Sequence, residues 1–340
     1  MTTPDAPPPM EALLAAELPE GAGWQFEPKW DGFRCLARRE GEIVTLTSKS
    51  GKPLARYFPE VADMLCRVET KRFLIDGELI IPLGDALSFD ALQLRLHPAE
   101  SRVRKLAAET PAKLMVFDLL DLEGTQLTQL PLSERRKRLE QFYRHNGVPG
   151  LELSPMTGDR GVALGWLSRS GGALDGVIAK RTSQDYRSGE RAMIKVKQQR
   201  TADCVVGGFR YAEKKKEVGS LLLGLYGDDG LLHHVGFTSA IPSVERDELT
   251  KKLQKLSQPP GFTGSAPGGP SRWNTARSIA WEPLKPVLVV EVRYDQVTGN
   301  RFRHGTGFLR WRPDKNPEQC TFEQLVPELR PSELKEMFAE

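Results

Sequence analysis

The sequence predicts an α+β protein of two domains, and three observations support this. Its 340 residues exceed the length of a typical single domain. Short apolar runs alternate with helical stretches up to about residue 198, and the later residues are mainly apolar runs separated by turn signals. Hydrophobic residues make up 39% and charged residues 27%, as in an ordinary globular protein. We expect a flexible lead at 1–20, a mixed α and β domain at 21–198 and a small β-barrel at 199–340.

The first domain is predicted to alternate buried strands with helices. The longest helical pattern, at 132–147, has Ser133 as a candidate N-cap and ends at Asn146 and Gly147. The other predicted elements are strands at 73–83, 113–122 and 174–181 and a helix at 59–68.

The second domain is predicted to be mostly strands. Its apolar runs include GSLLLGLYGDDGLLHHVGF and VLVVEVRYDQVTG, with Asp-Asp-Gly and Thr-Gly as turn signals. A helical pattern lies at about 243–256, and a loop follows at 257–272, where four prolines and four glycines prevent regular structure.

The composition argues against a membrane or secreted protein. No apolar run approaches the roughly 20 residues that cross a bilayer. The first 20 residues hold four acidic residues and no Lys or Arg, unlike a signal peptide. The four cysteines are far apart in sequence, which is unlike a zinc or CxxC site. We expect a cytoplasmic bacterial protein with reduced cysteines.

The net charge of +3 conceals two basic windows. Residues 187–217 contain nine Lys or Arg against four acidic residues, and residues 301–315 contain five against one. Such windows are either solvated faces or surfaces that contact the phosphates of a nucleic acid. The candidate DNA-binding residues are Lys214, Lys215, Lys216, Arg301 and Arg303.

The segment FEPKWDGFR at 26–34 contains a K-x-D-G pattern with Lys29 at its start. Alone, this pattern also fits a surface lysine before a turn. Further segments follow in a fixed order, and each also has an ordinary explanation, such as a core position for Phe117 or a solvated strand face for Lys195 and Lys197. These segments are SKSGKPL, FLIDGELI, MVFDLLDLEG, DGVIAK, MIKVK and FLRWRPDK.

Taken together in this order, the segments resemble the covalent nucleotidyltransferases, which include ATP-dependent DNA ligases, RNA ligases and mRNA-capping enzymes. The resemblance covers about residues 24–315. It is greatest to bacterial ATP-dependent DNA ligases, both the short stand-alone type and the ligase module of end-joining polyproteins. It implies an adenylation domain followed by an OB-fold domain.

The resemblance implies a DNA ligase that works through a lysyl-AMP intermediate. Lys29 would attack the α-phosphorus of ATP, AMP would pass to the DNA 5′ phosphate, and the 3′ hydroxyl would then expel AMP. Neighbouring cations such as Lys195 and Lys197, with Mg²⁺ or Mn²⁺, would favour the neutral amine and offset the phosphate charge. ATP is the implied co-substrate and covalently bound AMP the intermediate.

The remaining site residues follow from the resemblance. Glu27 would accept from the adenine amino group, Phe117 would stack on adenine, and Glu78 and Asp175 would hold the metal. Residues expected to contact ATP or AMP are Glu27, Asp31, Arg34, Lys49, Glu78, Phe117, Lys180, Lys195, Lys197, Arg312, Asp314 and Lys315. Among them, Lys180, Lys195 and Lys197 would contact phosphates. The last three would orient the leaving pyrophosphate.

Two residues depart from the family pattern. Lys49 replaces the usual Arg and cannot form a bidentate phosphate contact. Asp175 replaces the usual Glu and is one methylene shorter, so a metal could be held through water. Both replacements keep the charge.

Two alternatives stay open from the sequence: an RNA ligase or capping-type enzyme, and a non-catalytic nucleic-acid-binding protein of the same fold. The expected substrate is nicked or broken double-stranded DNA, and we expect a monomer. Because the motifs leave little room for an additional DNA-encircling domain, a Ku-like end-binding protein is a candidate partner.

Overall fold

The computed structural model describes residues 7–83, 86–170, 174–198, 200–213, 215–242, 246–268, 280–295, 297–302 and 305–325. The chain divides after Gln198 into two compact units.

The first unit contains two main sheets. One has four strands in the order β1-β12-β11-β2, and the other has the order β10-β8-β5-β3-β4 with β9 paired to β8. Its strands are β1 Glu11–Ala15, β2 Trp24–Trp30, β3 Phe33–Glu40, β4 Ile43–Ser48, β5 Arg72–Ile80, β6 Pro82–Leu83, β7 Ala86–Leu87, β8 Lys113–Leu122, β9 Thr125–Gln126, β10 Leu151–Leu153, β11 Leu174–Arg181 and β12 Arg191–Val196. Its helices are α1 Pro59–Cys66, α2 Phe89–Arg95, α3 Glu100–Glu109, α4 Leu132–Asn146 and α5 Arg160–Ser168.

Each main sheet has its own apolar core. Helices α1 and α4 pack Val61, Leu65 and Leu139 into the core of the larger sheet. Helix α5 packs Ala163 and Trp166 against the smaller sheet. Polar and apolar side chains of both sheets also line a cavity between them.

The beginning of the chain corrects one expectation. Residues 11–15, expected in a flexible lead, form β1, which pairs in parallel with β12. Leu13 and Leu14 are exposed, so this short edge strand has no alternating apolar pattern that sequence reasoning could detect.

The start of α4 corrects another. Ser133 is not the N-cap, because the helix begins after Pro131 and no side chain caps it. The amides of Leu132 and Ser133 instead donate to the carbonyls of Gln184 and Thr182. Distant backbone therefore satisfies the helix terminus.

The second unit is β-rich, as predicted. Its antiparallel sheet has the order β15-β14-β13-β17-β20, with β16 paired to β13. An isolated bridge between Thr238 and Thr306 is the link between β15 and the start of β20 among the described residues, so the OB-type barrel is not closed by a continuous ladder. Its elements are β13 Arg200–Tyr211, β14 Val218–Tyr226, β15 Leu232–Thr238, α6 Arg246–Lys255, β16 Glu282–Pro283, β17 Val289–Tyr294, β18 Val297–Thr298, β19 Arg301–Phe302 and β20 Gly307–Trp311, with 3-10 helices at Pro317–Gln319 and Phe322–Gln324.

Among all the residues that the structure describes, no helix is long and apolar enough to span a membrane. The four cysteines form no disulfide.

Candidate active site

Alternation along three strands places pairs of side chains in the cavity of the first unit, and four of these six side chains are charged. Residues two apart on a strand share a face. The pairs are Glu27 and Lys29 on β2, Ile178 and Lys180 on β11, and Met193 and Lys195 on β12. The strand register aligns Glu27, Ile178 and Lys195 in one row. Arg34, Glu78 and Phe117 line the same cavity from the larger sheet, and its volume is about 240 Å³.

Two glycines permit the close approach of strands beside this cavity. A Cβ on Gly32 would lie 2.1 Å from the carbonyl oxygen of Leu79 and 2.8 Å from Cγ of Glu78. A Cβ on Gly176, whose φ is +128°, would lie 2.1 Å from the carbonyl oxygen of Val196. The glycines that follow Asp31 and Asp175 are therefore required by packing.

Lys29 lies in a cluster of cations around one carboxylate. Its ammonium donates to Oδ2 of Asp175, and the Nζ of Lys197 lies 2.9 Å from Oδ1 of the same side chain. Burial alone would raise the pKa of Asp175, but these two lysines hold it below its usual value. Burial, then the charges of Lys29 and Lys197, lowers the pKa of Lys195. Positive charge is thus concentrated where a phosphate could bind.

A buried ion pair between β2 and β11 also lines the cavity. Lys180 donates to Oε2 of Glu27 at 2.7 Å, and the side-chain amide of Gln25 donates to Oε1 at 2.7 Å. Glu27 is 2% exposed and Lys180 is 5% exposed. The structure therefore places Lys180 beside the residue expected to read adenine.

Phe117 packs with two cations. The Arg34 guanidinium lies 4.5 Å and the Lys180 ammonium 4.7 Å from the ring centroid. The ring is 7% exposed, which is too little for a purine to cover one face unless a neighbour moves. Stacking of adenine on Phe117 thus requires rearrangement at this position.

Arg34 and Lys49 are each held by a carboxylate. Arg34 donates to both oxygens of Asp76 at 2.6 Å. Lys49 lies 3.0 Å from Oε2 of Glu11, so this carboxylate would compete with a phosphate for the ammonium. Sequence reasoning did not select Asp76 or Glu11, although Asp76 lies in the FLIDGELI segment.

Glu78 is the carboxylate that best fits a metal. Mg²⁺ commonly binds one or two protein carboxylates together with nucleotide phosphates. Glu78 faces the cavity, and burial raises its pKa to about 7. Both oxygens of Asp175 are already engaged by lysines. The described residues contain no group of three metal-ligating side chains, so the phosphates would have to supply further ligands.

The raised pKa of Glu78 predicts a pH-dependent cost to stability. Between its usual pKa of 4.5 and its folded value of about 7, the native state binds more protons than the unfolded state. Stability contributed by this group therefore falls as pH rises through that window. A pKa raised from 4.5 to about 7 corresponds to about 3 kcal/mol at pH 8, so we expect Glu78→Gln to raise the melting temperature of the first unit by about 6–12 °C at that pH. The difference should vanish near pH 4.5.

Glu42→Gln is the control, because Glu42 is exposed and forms only a surface ion pair with Lys71. A gain for Glu78→Gln that is equal at both pH values would contradict the assigned titration.

The last motif forms its own ion-pair array in the second unit. Arg312 donates to both oxygens of Asp203 at 2.9 and 3.0 Å and also donates to Asp314. Hydrogen bonds from Arg312 lower the pKa of Asp314 to about 2. The Nζ of Lys315 lies 3.7 Å from Oδ2 of Asp203. Sequence reasoning did not select Asp203, because it lies in no recognisable motif.

The remaining candidates among the described residues lie at partly or fully exposed positions. Asp31 follows β2 and is partly exposed. Lys215 pairs with Glu217 at 3.1 Å, Lys216 is exposed, and Arg301 contacts Nδ1 of His234 at 3.1 Å. Lys214 and Arg303 lie outside the described residues.

Comparison with known proteins identifies the family of this chain. The chain matches the family described as "ATP dependent DNA ligase domain" over residues 11–197 and "ATP dependent DNA ligase C terminal region" over residues 214–315. It is 45% identical to DNA ligase C2 of Mycolicibacterium smegmatis and 43% identical to DNA ligase C of Mycobacterium tuberculosis, over 96% of both chains in each case.

A more distant relative is the multifunctional non-homologous end joining DNA repair protein LigD of Mycobacterium tuberculosis. It is 30% identical over 88% of this chain and 37% of its own length. A solved structure from a study of Lig E DNA ligases aligns with a TM-score of 0.53 at 18% identity, covering 89% of this chain and 100% of that one. That likeness confirms the fold.

The expectation of a DNA ligase is confirmed over the capping-type and non-catalytic alternatives. Near-full-length identity to two DNA ligases and two successive ligase regions leave one family, and the chain belongs to the ATP-dependent DNA ligases.

Proposed function

We propose that Lys29 is the nucleophile through which this DNA ligase loads AMP from ATP. The observation that carries the proposal is the position of its amine, which lines the cavity and shares the carboxylate of Asp175 with Lys197. Asp175 holds Lys29 and Lys197 together, and Lys195 adds a third positive charge. This charge would attract the nucleotide phosphates and stabilise negative charge in the transition state.

The proposed reaction has three steps. The neutral Lys29 amine attacks the α-phosphorus, a nitrogen–phosphorus bond forms, the bond to pyrophosphate breaks, and the amine loses a proton. A 5′-phosphate oxygen of DNA then attacks the same phosphorus, and Lys29 leaves and regains a proton. Finally the 3′ hydroxyl attacks the DNA phosphorus and loses its proton as AMP leaves.

The two ends of the cavity would hold different parts of the nucleotide. Glu27 and Lys180 form a carboxylate acceptor beside an ammonium donor, which suits the N6 donor and a ring nitrogen acceptor of adenine. Lys195 and Lys197 would contact phosphates at the Lys29 end. Lys180 would then contact the base, and Lys29, Lys195 and Lys197 would supply the phosphate contacts.

Glu78 would hold Mg²⁺ or Mn²⁺ together with phosphate oxygens, and such a metal would offset phosphate charge. Asp175 could join Glu78 only after Lys29 and Lys197 turn towards the nucleotide. Arg34 and Lys49 would contact the ribose and the 5′ phosphate of the nick. Asp31 would support the turn that presents Lys29 and Arg34.

The last motif should act in AMP loading and not in sealing. We expect Lys315→Ala to slow self-adenylation about tenfold or more, because one ammonium that contacts pyrophosphate is lost. Sealing of a nick that already carries AMP should change less than threefold. Rapid-quench assays of the two steps check this. Lys255→Ala at an exposed position of α6 is the control, and a larger defect in sealing would show that Lys315 has another role.

The substrate would be nicked or broken double-stranded DNA, with Lys214, Lys215, Lys216, Arg301 and Arg303 as candidate backbone contacts. End joining by this chain would need help from a Ku-like protein, and the chain would act as a monomer. The name of the end-joining relative supports a role in end joining, although this chain spans about a third of that protein.

One assay tests the proposed function. The protein is incubated with Mg²⁺ and α-labelled ATP or GTP, and then with nicked DNA. We expect covalent label from ATP, transfer of AMP to the 5′ phosphate and a sealed strand. Label from GTP alone, or sealing without any covalent intermediate, would overturn it.

A further inference from the structure

A closed ring of hydrogen bonds connects the beginning of the chain to Arg34. The Met10 amide donates to the Tyr186 hydroxyl at 3.0 Å, and that hydroxyl donates to Oδ2 of Asp76 at 2.7 Å. Arg34 donates to both oxygens of Asp76 at 2.6 Å and to the Met10 carbonyl at 3.4 Å. The ring therefore returns to the residue where it began.

The ring joins four separate parts of the first unit. Met10 immediately precedes β1, Arg34 lies on β3 and Asp76 on β5, whereas Tyr186 lies in the segment before β12. Met10 is 4%, Tyr186 5% and Asp76 0% exposed. Buried hydrogen-bonding groups are costly to leave unpaired, so this ring restrains all four parts together.

Two members of the ring, Met10 and Arg34, line the cavity of the first unit. Pro9, Met10, Glu11 and Ala12 line it from the beginning of the chain, and Arg34 lines it from the opposite sheet. Tyr186 itself does not line the cavity. Its hydroxyl nevertheless bonds both the Met10 backbone and the carboxylate that orients Arg34.

We propose that Tyr186 is a positioning residue for ATP binding, which couples the wall formed by Pro9–Ala12 to the orientation of Arg34. This rests on the proposed function, because the cavity must be the ATP site. Without the hydroxyl, the Met10 amide loses its acceptor and Asp76 loses one donor. Lys29, Asp175 and Lys197 are outside the ring, so the chemical step should change little.

The test is Tyr186→Phe, which removes the hydroxyl and keeps the ring. The KM for ATP in self-adenylation should rise about fivefold to tenfold, because only part of the free energy of the two lost hydrogen bonds acts on ATP binding. The kcat should change less than twofold. Hydrogen exchange of peptides that cover residues 8–15 should also become faster in the variant.

Tyr143→Phe is a matched control. Tyr143 is partly buried on α4, and its hydroxyl bonds the backbone of Leu153 away from the cavity. It should leave both the KM for ATP and exchange at residues 8–15 unchanged.

The outcomes separate this proposal from the proposed function. An unchanged KM in Tyr186→Phe, with normal labelling by ATP, would overturn the positioning role alone. A fall in kcat with KM unchanged would also overturn it. If the unmodified protein took no label from ATP, the proposed function itself would fail.

Discussion

Replacement of Lys29 by Ala is expected to abolish covalent labelling by ATP. The amine is the atom that would bond to phosphorus, and no other group can replace a missing nucleophile at the same place. The rate of AMP loading should fall on the order of 10⁴-fold or more. Gel detection of the protein–AMP adduct with α-labelled ATP measures this directly.

The same variant should still seal a nick whose 5′ phosphate already carries AMP. In that step the 3′ hydroxyl is the nucleophile and Lys29 has no bond to form or break. Sealing should stay within about tenfold, because only one nearby positive charge is lost. Lys71→Ala, at an exposed position paired with Glu42, should behave as the unmodified protein in both assays. ATP label that persists in Lys29→Ala would place the nucleophile elsewhere.

The sequence predicted the strands that carry the site better than it predicted their surroundings. FLIDGELI and DGVIAKR became β5 and β11, because apolar runs bounded by polar residues are typical of buried strands. Strand β1 was missed, since its pairing with β12 depends on residues about 180 positions later. The N-cap of α4 was also wrong, because the capping carbonyls come from residues 182 and 184.

The site residues could be selected from motifs, but their partners could not. Alternation places Lys180 and Glu27 on one face of neighbouring strands, yet only the register brings their charged groups together. Asp203 and Tyr186 lie outside the residues selected from the motifs. Their importance arises from contacts with Arg312 and Asp76, more than 100 positions away in sequence, which no local pattern encodes.

Lys180→Met is expected to destabilise the first unit by about 3–5 kcal/mol. The change leaves Glu27 as a buried carboxylate whose charged partner is gone and whose remaining donor is the neutral amide of Gln25. Urea unfolding followed by amide exchange in β2 and β11 measures the effect and separates the first unit from the second. Loss of the half-exposed pair of Lys113 and Glu152 in Lys113→Met should cost less than about 1 kcal/mol.

The double variant Glu27→Gln, Lys180→Met decides whether the cost comes from the unpaired charge. Removing the carboxylate charge as well should recover most of the lost stability, because the desolvated ion is then absent. Recovery of stability should not restore function, since the acceptor for the adenine amino group is weakened, and labelling by ATP should lose its advantage over GTP. Additive losses in stability would instead show that the pair acts through packing. A preference for ATP that persisted in the double variant would show that the charged pair has no part in base selection.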